Sequence, residues 1–342
     1  MAVTIRDVAE AAGVSPMAVS KVLHGKGSNV RVGQETADII RRVARELHYQ
    51  PNELARSFRL QRTFMIGLVF EDWTRVAGGS QYFAHLLDGV TSASFPGGYS
   101  VSICPQLVNI ESGSTLNDRR FDGLIWAKFE SSPENFKMLE SSRTPIVILH
   151  ANSPSIVERG VSTFCCDNSQ ALRLAVDHLV GLGHRRIGMV VHQPKDHDDE
   201  TVARVSSCRA ALAAHGLRLD DADLLNWEFQ AEEFEAWWRS GPPHTALILR
   251  SEAQAGPIVA HAARFGVRLP EDLSLVGFDS TAYCDTLSPR LTAIKQPIEE
   301  MAFEATQLLM RIIEGAAAPA REVVFACGFD VRESTAPPRS AT

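Results

Sequence analysis

The apolar positions of the first fifty residues fall into three helical stretches separated by turn chemistry. Val8, Ala11 and Ala12 recur at helical spacing behind Thr4. Thr4 and Asp7, three residues apart, form a capping box, so a first helix is predicted to start at Thr4. Gly13 suits the left-handed backbone that ends a helix; Ser15 is a good N-cap, and Pro16 follows where its missing N–H costs nothing. Ala18, Val19, Val22 and Leu23 give the second helix its apolar face and leave Pro16, Met17, Ser20 and Lys21 pointing outward. Thr36, Ile39, Ile40, Val43, Ala44 and Leu47 repeat at helical spacing and predict a third helix that completes the core. Helix, tight turn, helix is the order that sets a short helix into the major groove of DNA. A plain helical hairpin reads the same way on these signals alone.

Beyond this head the pattern breaks and then changes period. Pro51 interrupts helix and Asn52 can cap a new one of about two turns, reaching Phe58; such a helix is marginal alone. A plain interdomain linker is the other reading of the same residues. From Phe64 onward short apolar runs alternate with helical stretches: Phe64–Phe70, Tyr99–Ile103, Gly123–Trp126, Pro145–Leu149, Arg186–Val191, Thr245–Leu249 and Leu273–Phe278. Strand alternating with helix predicts an α/β parallel sheet, and two such sets fit two lobes. The tail Glu333–Thr342 is polar and Pro-rich and is predicted to be disordered.

Composition sharpens this picture. At 342 residues, 45% of them hydrophobic, the chain is long enough for two or three domains with sizeable cores. No apolar run is long enough for a membrane span, and the N-terminus enters a capped helix with no signal peptide, so a cytoplasmic protein is expected. Six cysteines without CxxC spacing read as reduced, structural thiols. The net charge of −7 hides a split: residues 1–62 carry +4 and the remainder −11. A basic head on an acidic body suits nucleic-acid binding by the head alone, with the loop His24–Arg31 placed for phosphate contact. No catalytic set emerges. His192, His197, Asp196, Asp198 and Asp199 cluster in sequence, but their spacing matches no established metal site and the segment Gln193–Glu200 reads as a polar loop. Neither a phosphate-cradling GxxxxGK[ST] nor a nucleophile elbow is present. A non-enzyme without metal or cofactor is expected.

Residues 4–62, with TIRDVAEAAGVSPMAVSKVL and HYQPNELARS in that order, resemble the LacI/GalR family of bacterial transcription regulators. The resemblance continues through Cys166–Asn168, Leu179–Ile187, Val267–Asp279 and Leu291–Met301. It implies an all-α helix-turn-helix head on an α/β, two-lobed, periplasmic-binding-protein-like body. The implied boundaries are a head at 1–48, a hinge helix and linker at 49–62, and a ligand-binding and dimerisation domain at 63–333. Lobe one would take about 63–165 and 296–326, lobe two about 166–295 and 327–333, with a disordered tail at 334–342. It further implies a homodimer on double-stranded operator DNA, most often as a repressor, with a small-molecule effector held between the lobes.

Carried over by position, Pro16, Met17 and Lys21 would face base edges, and Thr4, Ser15, Ser20, Asn29 and Arg31 would contact phosphate. Asn52, Ala55 and Phe58 would form the minor-groove hinge, with Phe58 as the wedge where the family usually has leucine. Effector contacts would fall on Glu71, Tyr82, His150, Arg204, Phe229, Ser251 and Asp279, a chemistry suited to a polyol or sugar. The chain departs from the family at Arg250-Ser-Glu252, where Ala-Asn-Asp is usual, at Gly33, where serine usually caps, and by an insertion at Arg75–Ser80. Cys104–Asn117 is shorter than the usual strand–helix unit. A sugar or sugar derivative is the expected effector, with a nucleobase or an acidic metabolite left open. Without a leucine heptad in the tail, a dimer is expected and not a tetramer. The rival class is a sugar-binding receptor with no DNA role, against which the basic head and missing signal peptide stand.

Overall fold

The computed structural model describes residues 3–24, 31–50, 57, 60–70, 81–105, 119–151, 153–191, 199–227 and 231–339. Asn29, Asn52, Ala55, Phe58, Glu71 and Phe229, singled out above, lie outside the described residues. The chain divides into two compact units, Met1–Thr63 and Phe64–Thr342.

In the first unit α1 (Ile5–Ala11) starts where the capping box requires: Asp7 N donates to Thr4 Oγ1 at 3.4 Å and Thr4 N to Asp7 Oδ2 at 2.7 Å. Its inward face is Ile5, Val8, Ala9 and Ala12, while Ala11, expected inside, is exposed. From Val8 alone either set fits helical spacing; Ile5, one turn earlier, decides between them. Gly13 takes φ +65° and turns the chain, and Ser15 Oγ accepts from Ala18 N at 3.2 Å to cap α2 (Pro16–His24). The third helix, α3 (Gln34–Glu46), starts on Gly33 without a side-chain cap. It buries Ala37, Ile40, Val43 and Ala44, with Thr36, Ile39 and Leu47 at the rim. Val8, Val19 and Ile40, all fully buried, join the three helices in one core.

The second unit carries twelve strands among the described residues. They are β1 (Met65–Phe70), β2 (Ser100–Pro105), β3 (Gly123–Ala127), β4 (Ile146–Leu149), β5 (Ser162–Cys166), β6 (Ile187–Val191), β7 (Leu224–Asn226), β8 (Ala246–Leu249), β9 (Ser274–Asp279), β10 (Thr292–Lys295), β11 (Glu322–Phe325) and β12 (Gly328–Asp330). Helices α4 (Tyr82–Ser94), α5 (Pro133–Ser141), α6 (Pro154–Glu158), α7 (Asn168–Gly181), α8 (Asp199–Ala214), α9 (Ala231–Arg239), α10 (Ala255–Arg264) and α11 (Ile298–Ile313) alternate with them. One sheet runs β11-β5-β4-β3-β1-β2 with every neighbour parallel. The other runs β12-β10-β9-β8-β6-β7, parallel except for the antiparallel pair β10–β12. The strands β1, β3 and β4 and their counterparts β6, β8 and β9 are apolar and buried, as strands covered on both faces must be.

The chain changes sheet three times: from β5 into α7, from β10 into α11, and from β11 to β12. Strand order reverses beside β1 in the first sheet and beside β6 in the second. Crevices outside the carboxyl ends of strands at such reversals are where open α/β sheets bind ligands.

Two features depart from expectation. The strand β5, with sequence Ser-Thr-Phe-Cys-Cys, has no apolar run to announce it yet is buried throughout. The residues before the C-terminus are not disordered. Ser334 is 1% exposed, its N–H-bearing neighbour strand donating Leu275 N to Ser334 O at 2.8 Å while Ser334 Oγ donates to Leu275 O at 2.6 Å. His184 bridges Thr245 Oγ1 at 2.8 Å and Ala336 O at 2.9 Å, and Arg339 pairs with Asp272 at 2.6 Å. The small hydroxyl residues that made this segment look solvated instead supply partners to strand backbone. Among the described residues no helix is long and apolar enough to cross a membrane.

Helices α4 and α11 pack closely at Gly89, where a methyl group would meet the backbone carbonyl oxygen of Glu299 and come within 2.7 Å of Ala302 Cβ. Gly89→Ala gains up to about 1 kcal/mol in helix propensity, but overpacking against backbone costs about 1–3 kcal/mol. The variant should therefore lose about 1–2 kcal/mol net, read as a lower urea midpoint of the full chain.

Candidate functional site

In the head, the outward side of α2 presents Pro16 and Met17, the latter 61% exposed, with Ser20 and Lys21 half-buried beside them. Buried Ala18 and Val19 set that orientation, because they fix which side of α2 faces the core. Exposed apolar side chains beside a half-buried cation on one short, capped helix form a surface able to meet base edges. Ser15 and Arg31 are exposed nearby in sequence. The Thr4 hydroxyl is engaged already, donating to Asp7 Oδ2 at 2.9 Å.

In the body a cavity of about 370 Å³ opens at the carboxyl ends of the central strands. Tyr82 and Phe83 from α4 and Lys128 after β3 line it from the first lobe. Glu200 and Arg204 from α8, Arg250, Ser251 and Gln254 after β8, Asp279 at the end of β9 and Gln296 after β10 complete the wall. Of the seven residues expected to contact an effector, Tyr82, Arg204, Ser251 and Asp279 meet here. His150 is not on the wall: it is buried against the Tyr82 ring, centroids 5.1 Å apart, with Nδ1 3.8 Å from Glu200 Oε1. Lys128, Glu200, Arg250, Gln254 and Gln296 were not anticipated. Lys128 and Arg250 each stand directly after an apolar strand run, and that position was the available signal. Glu200, assigned above to a solvated polar loop, is instead buried in the first turn of α8.

Arg204 organises the wall. Its guanidinium donates to Glu200 Oε1, to the Arg250 carbonyl oxygen at 2.5 Å and to Asn168 Oδ1 at 3.4 Å, and lies 3.6 Å over the Phe278 ring. Asp279 accepts from Gln296 Nε2 through Oδ1 and from Ser251 Oγ at 3.3 Å through Oδ2. Gln254 Oε1 caps the turn by accepting from Arg250 N at 2.8 Å, and among the described residues its buried Nε2 and Gln296 Oε1 have no hydrogen-bond partner. Three residues at strand ends, Lys128, His150 and Asp279, hold left-handed backbone at φ +57°, +58° and +90°. Conformations this unfavourable for residues with a Cβ cluster at functional sites. Across the cleft, Ser131 of the first lobe donates to Asp199 at the start of α8.

Burial and mutual charge set the ionisation here. Burial opposes ionisation of Glu200, but Arg204, aided by His150 and Lys128, holds its carboxyl down to about 2. Burial raises the Asp279 pKa, with Arg204 opposing. Burial pulls His150 down to about 4 despite Glu200, so the imidazole is neutral at pH 7 and its approach to Glu200 is not an ion pair. Among the described residues no group of His, Cys, Asp and Glu side chains could hold a metal ion.

Comparison with known proteins gives this geometry its class. Residues 4–52 match the bacterial regulatory proteins of the lacI family, and residues 176–335 match a periplasmic binding protein-like domain. The chain is 30% identical over 324 residues to the HTH-type transcriptional repressor PurR of Serratia proteamaculans, covering 91% of this chain and 90% of that one. It is 28% identical over 349 residues to the HTH-type transcriptional regulator DegA of Bacillus subtilis, covering 98% and 99%. Among solved structures, a CelR–cellobiose complex superposes with a TM-score of 0.71 at 26% identity, covering 97% of this chain and 99% of that one. A lac repressor dimer bound to operator and the anti-inducer ONPF shares the fold, with a TM-score of 0.81 at 21% identity and coverage of 98% and 100%. The protein is a DNA-binding transcription regulator built as a helix-turn-helix head on a periplasmic-binding-protein-like body. It belongs to the LacI family of bacterial regulators.

The neutral His150 carries a pH signature. An unfolded histidine takes its proton near pH 6.5 and the folded one near 4, so below 6.5 the unfolded chain binds the extra proton. Stability from this site is complete above pH 6.5 and is lost as pH falls toward 4, by of order 3 kcal/mol. Glu200 stays ionised across that window. His150→Asn, which keeps a residue tolerant of left-handed backbone, should flatten the fall in melting temperature between pH 6.5 and 4.5.

Proposed function

We propose that this regulator acts as a cytoplasmic homodimer, one head per half-site of a two-fold operator, and represses transcription under control of a small molecule. The reading rests on the cavity around Asp279: a carboxylate, a fixed guanidinium and two amides converge on one space, next to the aromatic ring of Tyr82. That combination of paired acceptors, donors and a ring face suits a sugar or sugar derivative. The cellobiose bound by CelR supports this class of ligand, as does the polar lining here. Glu71 and Phe229 are proposed as further contacts by their sequence positions. The ligand favours one degree of lobe closure over the other, and that difference in affinity, typically about 1–3 kcal/mol in such switches, alters operator binding.

On the DNA side we assign base reading to Pro16, Met17 and Lys21, and phosphate contact to Thr4, Ser15, Ser20, Asn29 and Arg31. Asn52, Ala55 and Phe58 are assigned to the minor groove. The domain limits proposed are 1–48 for the head, 49–62 for the hinge and 63–339 for the two lobes, because Ser334, Ala336 and Arg339 are held by the body. Lys21→Ala should weaken a selected operator by about 1–3 kcal/mol more than random duplex in fluorescence anisotropy titrations. Equal weakening on both would make Lys21 a phosphate contact. Asp279→Ala should lose the ligand-induced change in operator affinity; a normal response in that variant would place the effector elsewhere.

A further inference from the structure

Among the described residues the charges lining the cleft lean cationic. Its described wall holds three cations, Lys128, Arg204 and Arg250, against two carboxylates, Glu200 and Asp279. Both carboxylates are engaged within the second lobe and its edge: Glu200 by Arg204, and Asp279 by Gln296 and Ser251. Arg204 is in turn satisfied on every side by Glu200, the Arg250 carbonyl, Asn168 and Phe278.

Lys128 is different. Its ammonium lies 4.6 Å from the centroid of Tyr82 and 5.6 Å from that of Phe83; among the described residues these two rings are its direct contacts, while Glu200 and Asp279 act on it through charge at longer range. Aromatic faces attract a cation but do not replace the hydrogen bonds that its three N–H donors make in water. Burial lowers the Lys128 pKa even though Glu200 pulls the other way, a sign that desolvation outweighs the nearby carboxylate. Lys128 also occupies a left-handed backbone position, φ +57°, which fixes it at the end of β3 against the cavity. In the same wall the buried Gln254 Nε2 offers a donor and Gln296 Oε1 an acceptor, neither with a partner among the described residues.

We propose that the effector is an anionic polyol, a sugar acid or sugar phosphate, whose charged group is received by Lys128 while its hydroxyls meet Asp279 and Gln296. This rests on the cleft reading above and names its ligand class. A neutral sugar offers the ammonium only hydroxyl acceptors and no counter-charge. An anion gives it charge-assisted bonds.

The test is calorimetric titration of the full chain with matched probes: D-glucose, D-gluconate, D-glucuronate and D-glucose 6-phosphate, and D-galactose with D-galacturonate. An acidic probe should bind at least about tenfold tighter than its neutral parent. Lys128→Gln should erase that preference, weakening the acid by about tenfold to a hundredfold with little effect on the neutral sugar, and Lys128→Arg should restore part of it. The carboxylate and phosphate arms distinguish the two sources of charge. Neutral sugars binding as tightly as their acids, with binding lost in Asp279→Ala, would overturn the anion proposal and leave the cleft reading standing. Silence across the whole panel would overturn both.

Discussion

A guanidinium taken out of water is expensive unless every donor and both faces find compensation, and Arg204 is only 3% exposed. Its compensation comes from four separate places: Glu200 one turn away on the same helix, the backbone of Arg250 after β8, Asn168 at the start of α7, and the ring of Phe278 in β9. A planar fork can satisfy these partners in one register only, so Arg204 fixes α8 against α7, β8 and β9 together. The position of Asp279 follows, because it ends the strand that carries Phe278. Glu200, held ionised by Arg204, then becomes the charge that His150 and Lys128 of the first lobe face. The electrostatics of both lobes thus refer back to one buried cation.

Much of the head was legible because its signals are local. Thr4 with Asp7, Gly13, and Ser15 with Pro16 each act within one turn, and the structure uses them in those roles. The apolar face of α1 was misread by one position because Ile5 was left out of the pattern. In the body, strands with continuous apolar runs were visible, whereas β5 was not. Thr163 and Ser162 are buried there, and Ser162 Oγ accepts from Arg321 N across a sequence separation of 159 residues. No local pattern encodes a partner that distant. The tail escaped for the same reason, since Ser334 and Ala336 are ordered by Leu275, His184 and Ser274.

The candidate site shows the same division. Residues carried over by resemblance reached the cleft at Tyr82, Arg204, Ser251 and Asp279, yet resemblance is silent where this chain is individual. Lys128 and Gln254 are ordinary polar residues in sequence; what distinguishes them is an ammonium set against two aromatic rings and an amide nitrogen with no partner among the described residues, both properties of the folded wall. Glu200 looked like one charge among many in an acidic segment. Its meaning came from a helix beginning at Asp199, which turns the segment's last carboxylate inward onto Arg204.

The last strands of the two sheets come from one short stretch of chain, β11 at Glu322–Phe325 and β12 at Gly328–Asp330, and each lies at a sheet edge. A chain made from its N-terminus therefore leaves the ribosome with the outer sides of β5 and β10 unpaired until β11 and β12 have been synthesised. Open strand edges are templates for pairing with other chains. Both lobes must wait for the same few residues, so neither can close its sheet long before the other. The division of labour between lobes that serves ligand capture is, during synthesis, a shared exposure to misassembly that ends only when this one stretch emerges.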